Sequence, residues 1–253
     1  MSSRIPLLFV HGMWIGPWCW EEHFAPWFRD HGYTVETVAL RRHDQRHSPG
    51  LRTTRIREYV DDVIAAAEKM PSPPVVIGHS MGGFVTQLYL QQHTAPAAVL
   101  VASVPPRGIL APTFRTAARH PLRLAAAGAT MSLYRNVSTP RRARETFFSP
   151  GLSDELVRQY QARMTDESFF ALIDMMFFVR PRIEEVKRTP LLVLGADRDS
   201  GISRAEVAAT AKAYEAELET FPGAHALMLE PGWAKVAERI DTFVRSKVGA
   251  ATG

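Results

Sequence analysis

The stretch Val76-Ile77-Gly78-His79-Ser80-Met81-Gly82-Gly83-Phe84-Val85 decides the fold. A β-branched run leads into Gly-x-Ser-x-Gly, and helix-compatible residues follow. A strand that bends sharply into a helix needs residues without a Cβ on both sides of the bend, and Gly78 and Gly82 meet that need. Such a turn strains the backbone of the central serine and lifts its hydroxyl above the sheet, at the start of the next helix. Negative charge developing there is stabilised by free N–H groups and the helix dipole. Taken alone, the pentapeptide also fits a glycine-rich turn whose serine caps a helix. Its surroundings therefore carry the argument.

Outward from this stretch, short apolar runs alternate with helical patterns. Strands are expected near 6–10, 33–40, 74–78, 97–103, 190–195 and 217–221. Helices are expected over Pro17–His31 with Gly32 as the stop, over 55–69, from the bend to about His93, over 204–216 and over 232–247. In the second of these, Ile56, Tyr59, Val60, Val63, Ile64 and Ala67 share one face; in the last, Trp233, Val236, Ala237, Ile240 and Phe243 are expected inside. This alternation specifies an α/β fold, with about six mostly parallel strands and helices on both faces. From Pro105 to about Arg188 the pattern changes to helices without a convincing strand. An insertion there, between the fourth and fifth strands, leaves the sheet whole. The expected organisation is a core of residues 1–104 and 189–253 with a helical lid at 105–188.

Composition narrows the function classes. A chain of 253 residues, 46% hydrophobic, can bury one large α/β core. Its single cysteine, Cys19, excludes an intrachain disulfide and reads as a small buried residue between Trp18 and Trp20. Arg4 precedes the apolar stretch Ile5–Val10, but His11-Gly12 ends it too early for a secretory signal. No window reaches the roughly 18 apolar residues of a membrane span; the longest candidate, Phe169–Val179, carries Asp174. A cytoplasmic location is the expectation. Residues 107–182 hold twelve arginines, no lysine and six carboxylates. A solvated helical surface accounts for this, since arginine outnumbers lysine 25 to 5 throughout the chain. The sharper alternative is a face that steers a carboxylate, coenzyme A or an acidic carrier protein. No nucleic-acid-binding signature accompanies these arginines.

Residues for acyl transfer belong at the C-terminal ends of the strands. Ser80 follows the third strand, Asp197 and Asp199 the fifth, and His225 the sixth, within Gly223-Ala224-His225. A serine hydroxyl is a weak nucleophile until a base takes its proton, and a histidine can do so and later protonate the leaving group. A carboxylate holds the imidazole in the correct tautomer. Asp199 is preferred as that acid, because Ser200-Gly201-Ile202-Ser203 leads from it into the next helix; Asp197 is the alternative. Among the other histidines, His79 reads as a packing or hydrogen-bonding neighbour of the nucleophile. His23, His31, His93 and His120 have no strand end nearby. His43 and His47 are spaced for a metal, but no third ligand is evident, and no metal site is assigned. The oxyanion that forms on attack needs donors, for which the Met81 and Met13 N–H groups are the candidates. Gly12 and Trp14 beside Met13 are candidate substrate contacts. Phe147, Phe148, Phe169, Phe170, Met175, Met176, Phe177 and Phe178 fall in the lid, where Phe147 and Phe177 are taken as pocket residues.

With these residues in view, the chain resembles the α/β-hydrolase superfamily. The match rests on His11-Gly12 with Gly16 and Trp18, Gly78-His79-Ser80-Met81-Gly82-Gly83, Gly195 with Asp199, and Gly223-Ala224-His225. The opening His11-Gly12-Met13-Trp14-Ile15-Gly16-Pro17-Trp18-Cys19-Trp20 is similar to the compact branch of plant methylesterases and hydroxynitrile lyases, which lacks the first two strands of the full fold. The resemblance implies a Ser-His-Asp esterase or related lyase without a cofactor. Many relatives carry Arg-Gly-His-Gly-x-Ser after the second strand, whereas here the loop reads Arg41-Arg42-His43-Asp44-Gln45-Arg46-His47-Ser48. Serine at position 80 sets aside the epoxide hydrolases and dehalogenases of this fold, which place aspartate there.

The expectation is a serine hydrolase of small-to-medium carboxylic esters, a monomer or homodimer with Ser80, His225 and Asp199 as the triad, acting on a small-molecule ester or thioester, with an acidic carrier protein as a further candidate partner and no nucleic acid. A thioesterase, cyclase, C–C bond hydrolase or lyase using the same triad is the second hypothesis, with an acidic carrier protein as partner of the thioesterase. A non-catalytic ligand receptor on this scaffold is the third.

Overall fold

The computed structural model describes residues 5–119 and 121–248, so Arg4 and His120 lie outside the described residues. Six strands form one open sheet: β1 (Pro6–Val10), β2 (Thr34–Val38), β3 (Val75–His79), β4 (Ala98–Val101), β5 (Leu191–Ala196) and β6 (Glu217–Phe221). All are parallel, in the order β2-β1-β3-β4-β5-β6. The four central strands are buried along their whole length, which is why they read as unbroken apolar runs. β2 and β6, at the edges, are only partly buried.

Two apolar cores fill the faces. On one side Phe9, Trp20, Phe24 and Phe28 join Ile240 and Phe243; on the other Val10, Tyr59, Val63 and Phe84 join Val207 and Tyr214. The helices α1 (Trp18–Glu21) and α2 (Phe24–Asp30) replace the single helix expected over Pro17–His31. The break falls at His23, whose backbone is non-helical and whose ring stacks on Trp233, 4.8 Å away. Trp233 is accordingly half-buried at that stack instead of sitting inside the core. Next come α3 (Ile56–Ala67), with its apolar stripe inward, and α4 (Met81–Leu90), buried on every side.

Between β4 and β5 the described residues form helices and no strand: α5 (Leu110–Arg119), α6 (Pro121–Thr130), α7 (Pro140–Phe147), α8 (Asp154–Ala162), α9 (Phe169–Ile173) and α10 (Ile183–Val186). Side-chain caps from Thr139, Ser153 and Ser168 start three of them. A π-helical turn, Asp174–Phe178, follows α9. Buried carboxylates tie this segment to the core. Asp174 receives the Arg55 guanidinium and caps α3 through the Ile56 N–H (3.1 Å). Glu230, beyond β6, accepts from the Ser149 N–H (2.8 Å) and hydroxyl (2.5 Å). The chain closes with α11 (Arg204–Tyr214), which begins with a Ser203/Glu206 capping box, and α12 (Trp233–Val248). No helix of the described residues is long and apolar enough to cross a membrane.

Candidate active site

The strand order reverses direction between β1 and β3, and the loops leaving those two strands open a crevice there. Ser80 sits at the bend between β3 and α4 with φ 54° and ψ −119°, a conformation few non-glycine residues adopt. Its N–H is held by the Val101 carbonyl (3.0 Å). The flanking glycines explain the bend. A Cβ on Gly78 would stand 2.5 Å from the Gly82 carbonyl oxygen, and one on Gly82 would stand 2.4 Å from the carbonyl oxygens of Val10 and His11, so neither position has room for a side chain.

Three side chains from three strand ends meet at this point. The Ser80 hydroxyl lies 2.9 Å from His225 Nε2, and His225 Nδ1 lies 2.7 Å from Asp199 Oδ2. Asp199 is buried, and its other oxygen accepts from the Gly201 (2.8 Å) and Ile202 (2.9 Å) N–H groups. A carboxylate can only accept, so His225 carries its proton on Nδ1 and offers Nε2 to the serine. Asp197 goes elsewhere: it accepts from the Gly223 N–H (2.9 Å) and faces Arg198 and Arg204 at the surface. It shapes the turn before His225 and does not touch the ring.

His79 supports the arrangement from below. Its Nε2–H donates to the His225 carbonyl (3.0 Å). Burial, and then the neighbouring His225, push its pKa well below the usual value, so it stays neutral. His11 behaves alike: burial, reinforced by His43, lowers its pKa to about 3. Both histidines titrate near 6.5 when unfolded. Between about pH 3 and 6.5 the unfolded chain therefore binds more protons than the native one, and acid favours unfolding. Each histidine contributes up to about 1.4 kcal/mol per pH unit, present in full above 6.5 and lost on acidification. Urea midpoints taken between about pH 5 and 6.5 are expected to fall as pH is lowered, the two neutral histidines outweighing the opposite contribution of His43, whose pKa is raised by Glu167; a flat profile would contradict it.

The oxyanion candidates flank the serine. Met81 is the first residue of α4, and Met13 lies in the loop after β1. Among the described residues neither backbone N–H donates to a protein acceptor. Gly12 packs on the bend, where an added Cβ would stand 2.9 Å from the Ser80 Cβ; it brings the loop close to the nucleophile but does not line the cavity.

A cavity of about 200 Å³ opens over Ser80 and His225. Met13, Trp14 and Ile202 line it from the core, and Ile109, Pro112, Leu133 and Leu172 from the helical segment. Most of its wall is apolar. Trp14 is thus part of the cavity lining. Phe147 is not in the lining: it is buried behind it, with its ring 5.6 Å from His225 and 6.0 Å from Trp14. Phe177 is a correction, being 55% exposed on the π-helical turn and away from the cavity. The wider turn swings Phe177 and Phe178 outward while Asp174 and Met175 face in.

Other singled-out residues take structural roles. His43 is buried on Glu167, and His47 lies at the surface beside Asp166. Cys19 is buried, and burial raises its thiol pKa. Among the arginines of the helical segment, Arg115 meets Glu206, Arg144 meets Asp154, Arg158 meets Glu155 and Arg163 meets Glu22. Sequence reasoning missed Glu167 and its partners. They are distant along the chain, and no local pattern separates Asp166-Glu167 from a solvated loop.

A model described as "Alpha/beta hydrolase family" matches residues 7–239. No curated protein matches the chain in sequence. Similar solved structures include polyneuridine aldehyde esterase, at 15% identity and TM-score 0.71, covering 94% of this chain and 100% of that one. An esterase from Exiguobacterium antarcticum is 15% identical with TM-score 0.75, covering 97% and 93%. A tomato methylketone synthase complexed with beta-ketoheptanoate is 14% identical with TM-score 0.73, covering 98% and 99%.

Proposed function

The chain belongs to the alpha/beta hydrolase family, and from that premise we propose that it is a serine hydrolase of small-to-medium carboxylic esters. One observation carries the reading: Ser80, His225 and Asp199 form an unbroken hydrogen-bonded line at the floor of a mostly apolar cavity. Ser80 Oγ attacks the acyl carbon while its proton passes to His225 Nε2. The carbonyl oxygen takes up the negative charge between the Met13 and Met81 N–H groups. As the intermediate collapses, His225 returns the proton to the departing alcohol, leaving an acyl group on Ser80. Water then enters with His225 again as base, and the acid is released. Asp199 supports the imidazolium that forms twice in this cycle.

The small apolar cavity favours esters with a compact, apolar acyl or alcohol part. Residues 105–188 act as the lid over this cavity. A cytoplasmic monomer or homodimer needing no cofactor completes the proposal.

A fluorophosphonate probe followed by peptide mass spectrometry tests it. An adduct on Ser80 of the folded chain, together with ester turnover, is expected. Absence of the adduct would favour a ligand receptor. Turnover restricted to thioesters or C–C substrates would keep the triad and replace the substrate class.

A further inference from the structure

The run Thr165-Asp166-Glu167-Ser168 is polar, belongs to the helical segment, and is buried throughout. None of its residues touches the triad. Glu167 gathers four donors. Its Oε1 accepts from the Tyr59 hydroxyl (3.0 Å) and the Ser168 N–H (2.6 Å). Its Oε2 accepts from His43 Nε2–H (3.0 Å) and from the Trp14 N–H (3.4 Å). The other ring nitrogen of His43 faces the carbonyl oxygens of Leu40 and Arg41, each at 3.2 Å. With acceptors at both nitrogens, His43 carries two protons. An imidazolium–carboxylate pair is thus enclosed beneath the loop after β1. Burial opposes the charge on His43, but the Glu167 carboxylate outweighs it and the pKa is raised. Such a pair holds together only when its remaining lone pairs are satisfied; the donor that completes it is the main chain of Trp14, at φ 64°.

Three consecutive peptides of that loop are fixed in this way. His11 Nε2 accepts from the Leu40 N–H (3.3 Å), which leaves its proton on Nδ1 to be donated to the Gly12 carbonyl (2.9 Å). That carbonyl shares its peptide plane with the Met13 N–H. The following peptide is held by Glu167 through the Trp14 N–H. The third is held by the Thr165 N–H on the Trp14 carbonyl (2.9 Å). His11 in turn lies edge-on against His43, ring centroids 4.9 Å apart.

We propose that Glu167, paired with His43, is a positioning residue that clamps Trp14 and so aims the Met13 N–H at the oxyanion. The catalytic half of this statement rests on the ester-hydrolase reading above; the clamp itself does not. It makes the helical segment and the oxyanion loop one mechanical unit, although they are more than a hundred residues apart in sequence.

Glu167→Gln tests it. The Ser168 N–H can face only an oxygen, so the new amide nitrogen turns toward His43 and Trp14. His43 can answer by releasing its Nε2 proton, but the Trp14 N–H has no such recourse. The variant therefore unhooks Trp14 with almost no change in volume. A loosened donor is expected to lower kcat by about 10- to 100-fold with KM changed by less than about threefold. Amide hydrogen exchange is expected to quicken at residues 13–15 and to stay unchanged in β1 and β3. Tyr59→Phe removes one donor, leaves Trp14 held, and is expected to leave both readouts near wild type. Glu167→Asp shortens the reach to Trp14, already the longest of the four bonds. It is expected to show the same pattern more weakly, and it serves as the test should the glutamine variant not fold. Unchanged exchange at residues 13–15, or equal acceleration throughout the sheet, would overturn the clamp. A wild-type chain that forms no fluorophosphonate adduct at Ser80 would instead remove the ester-hydrolase reading, and the exchange comparison would still decide the clamp.

Discussion

Ser80→Ala is expected to lower ester turnover by about 10⁶-fold, with His225→Ala close behind, because the two act as one unit. Asp199→Asn is expected to cost about 10⁴-fold. Its amide nitrogen cannot face the Gly201 and Ile202 N–H groups, so those two donors hold the oxygen and turn the amide N–H toward His225 Nδ1. The imidazole must then accept at Nδ1 and place its proton on Nε2, pointing at the serine it should deprotonate. Asp197→Asn is expected to change turnover little, since its carboxylate meets the Gly223 N–H and surface arginines, not the imidazole. Steady-state kcat and kcat/KM on an activated ester, with the fold checked by circular dichroism, separate these cases. Equal losses from Asp197→Asn and Asp199→Asn would break the assignment of the acid, and residual turnover of Ser80→Ala near wild type would break that of the nucleophile.

The parts of this molecule legible in its sequence are those governed by short-range rules. Central strands buried on both faces must be apolar along their length, so β1, β3, β4 and β5 could be read directly. A strand-to-helix bend must be flanked by glycine, so position 80 could be read too. His225 stood out because a parallel sheet sends every strand end to one rim, and Gly223-Ala224-His225 follows the last of them. Most of what escaped depends on contacts between distant segments. The break at His23 is the exception: Pro26 has no N–H to offer the Glu22 carbonyl, so a new helix starts at Phe24, and the His23 ring then stacks on Trp233. Phe177 belongs to an apolar run whose helical period gives no warning of a π-helical turn, and the turn carries its ring outward. Asp199 and Asp197 both follow β5; the Ser200-Gly201-Ile202-Ser203 turn favours Asp199, and the hydrogen bonds of the folded loops give the two residues different partners. His43 and Glu167 exemplify the hardest case: each reads alone as a loop residue, and their meaning comes from an encounter across 124 positions.

Gly82→Ala is expected to be a strongly disruptive single-methyl substitution near the site. The added Cβ would stand 2.8 Å from the Val10 carbonyl carbon, with the carbonyl oxygens of Val10 and His11 nearer still. These are main-chain atoms at the end of β1, held by pairing on both sides, so no flexible side chain can swing clear. Overpacking ordinarily costs about 1–3 kcal/mol. Here relief requires parting α4 from β1, and a loss of at least about 3 kcal/mol, or roughly 10 °C in Tm for a chain of this size, is expected. Activity should fall further than stability alone dictates, because the displaced strand end carries His11, Gly12 and Met13, and a shift near 1 Å in a catalytic donor costs about 100-fold. Gly128→Ala is the control. An added Cβ there meets nothing within 4 Å among the described residues, and the position lies inside α6. Replacing an exposed helical glycine should raise stability by about 0.5–1 kcal/mol and leave turnover intact. Thermal melts and kinetics on the two variants decide the matter. If Gly82→Ala melts and turns over like the wild type, then β1 and α4 are not in the close contact that brings the oxyanion loop to Ser80, and the geometry of the site must be redrawn.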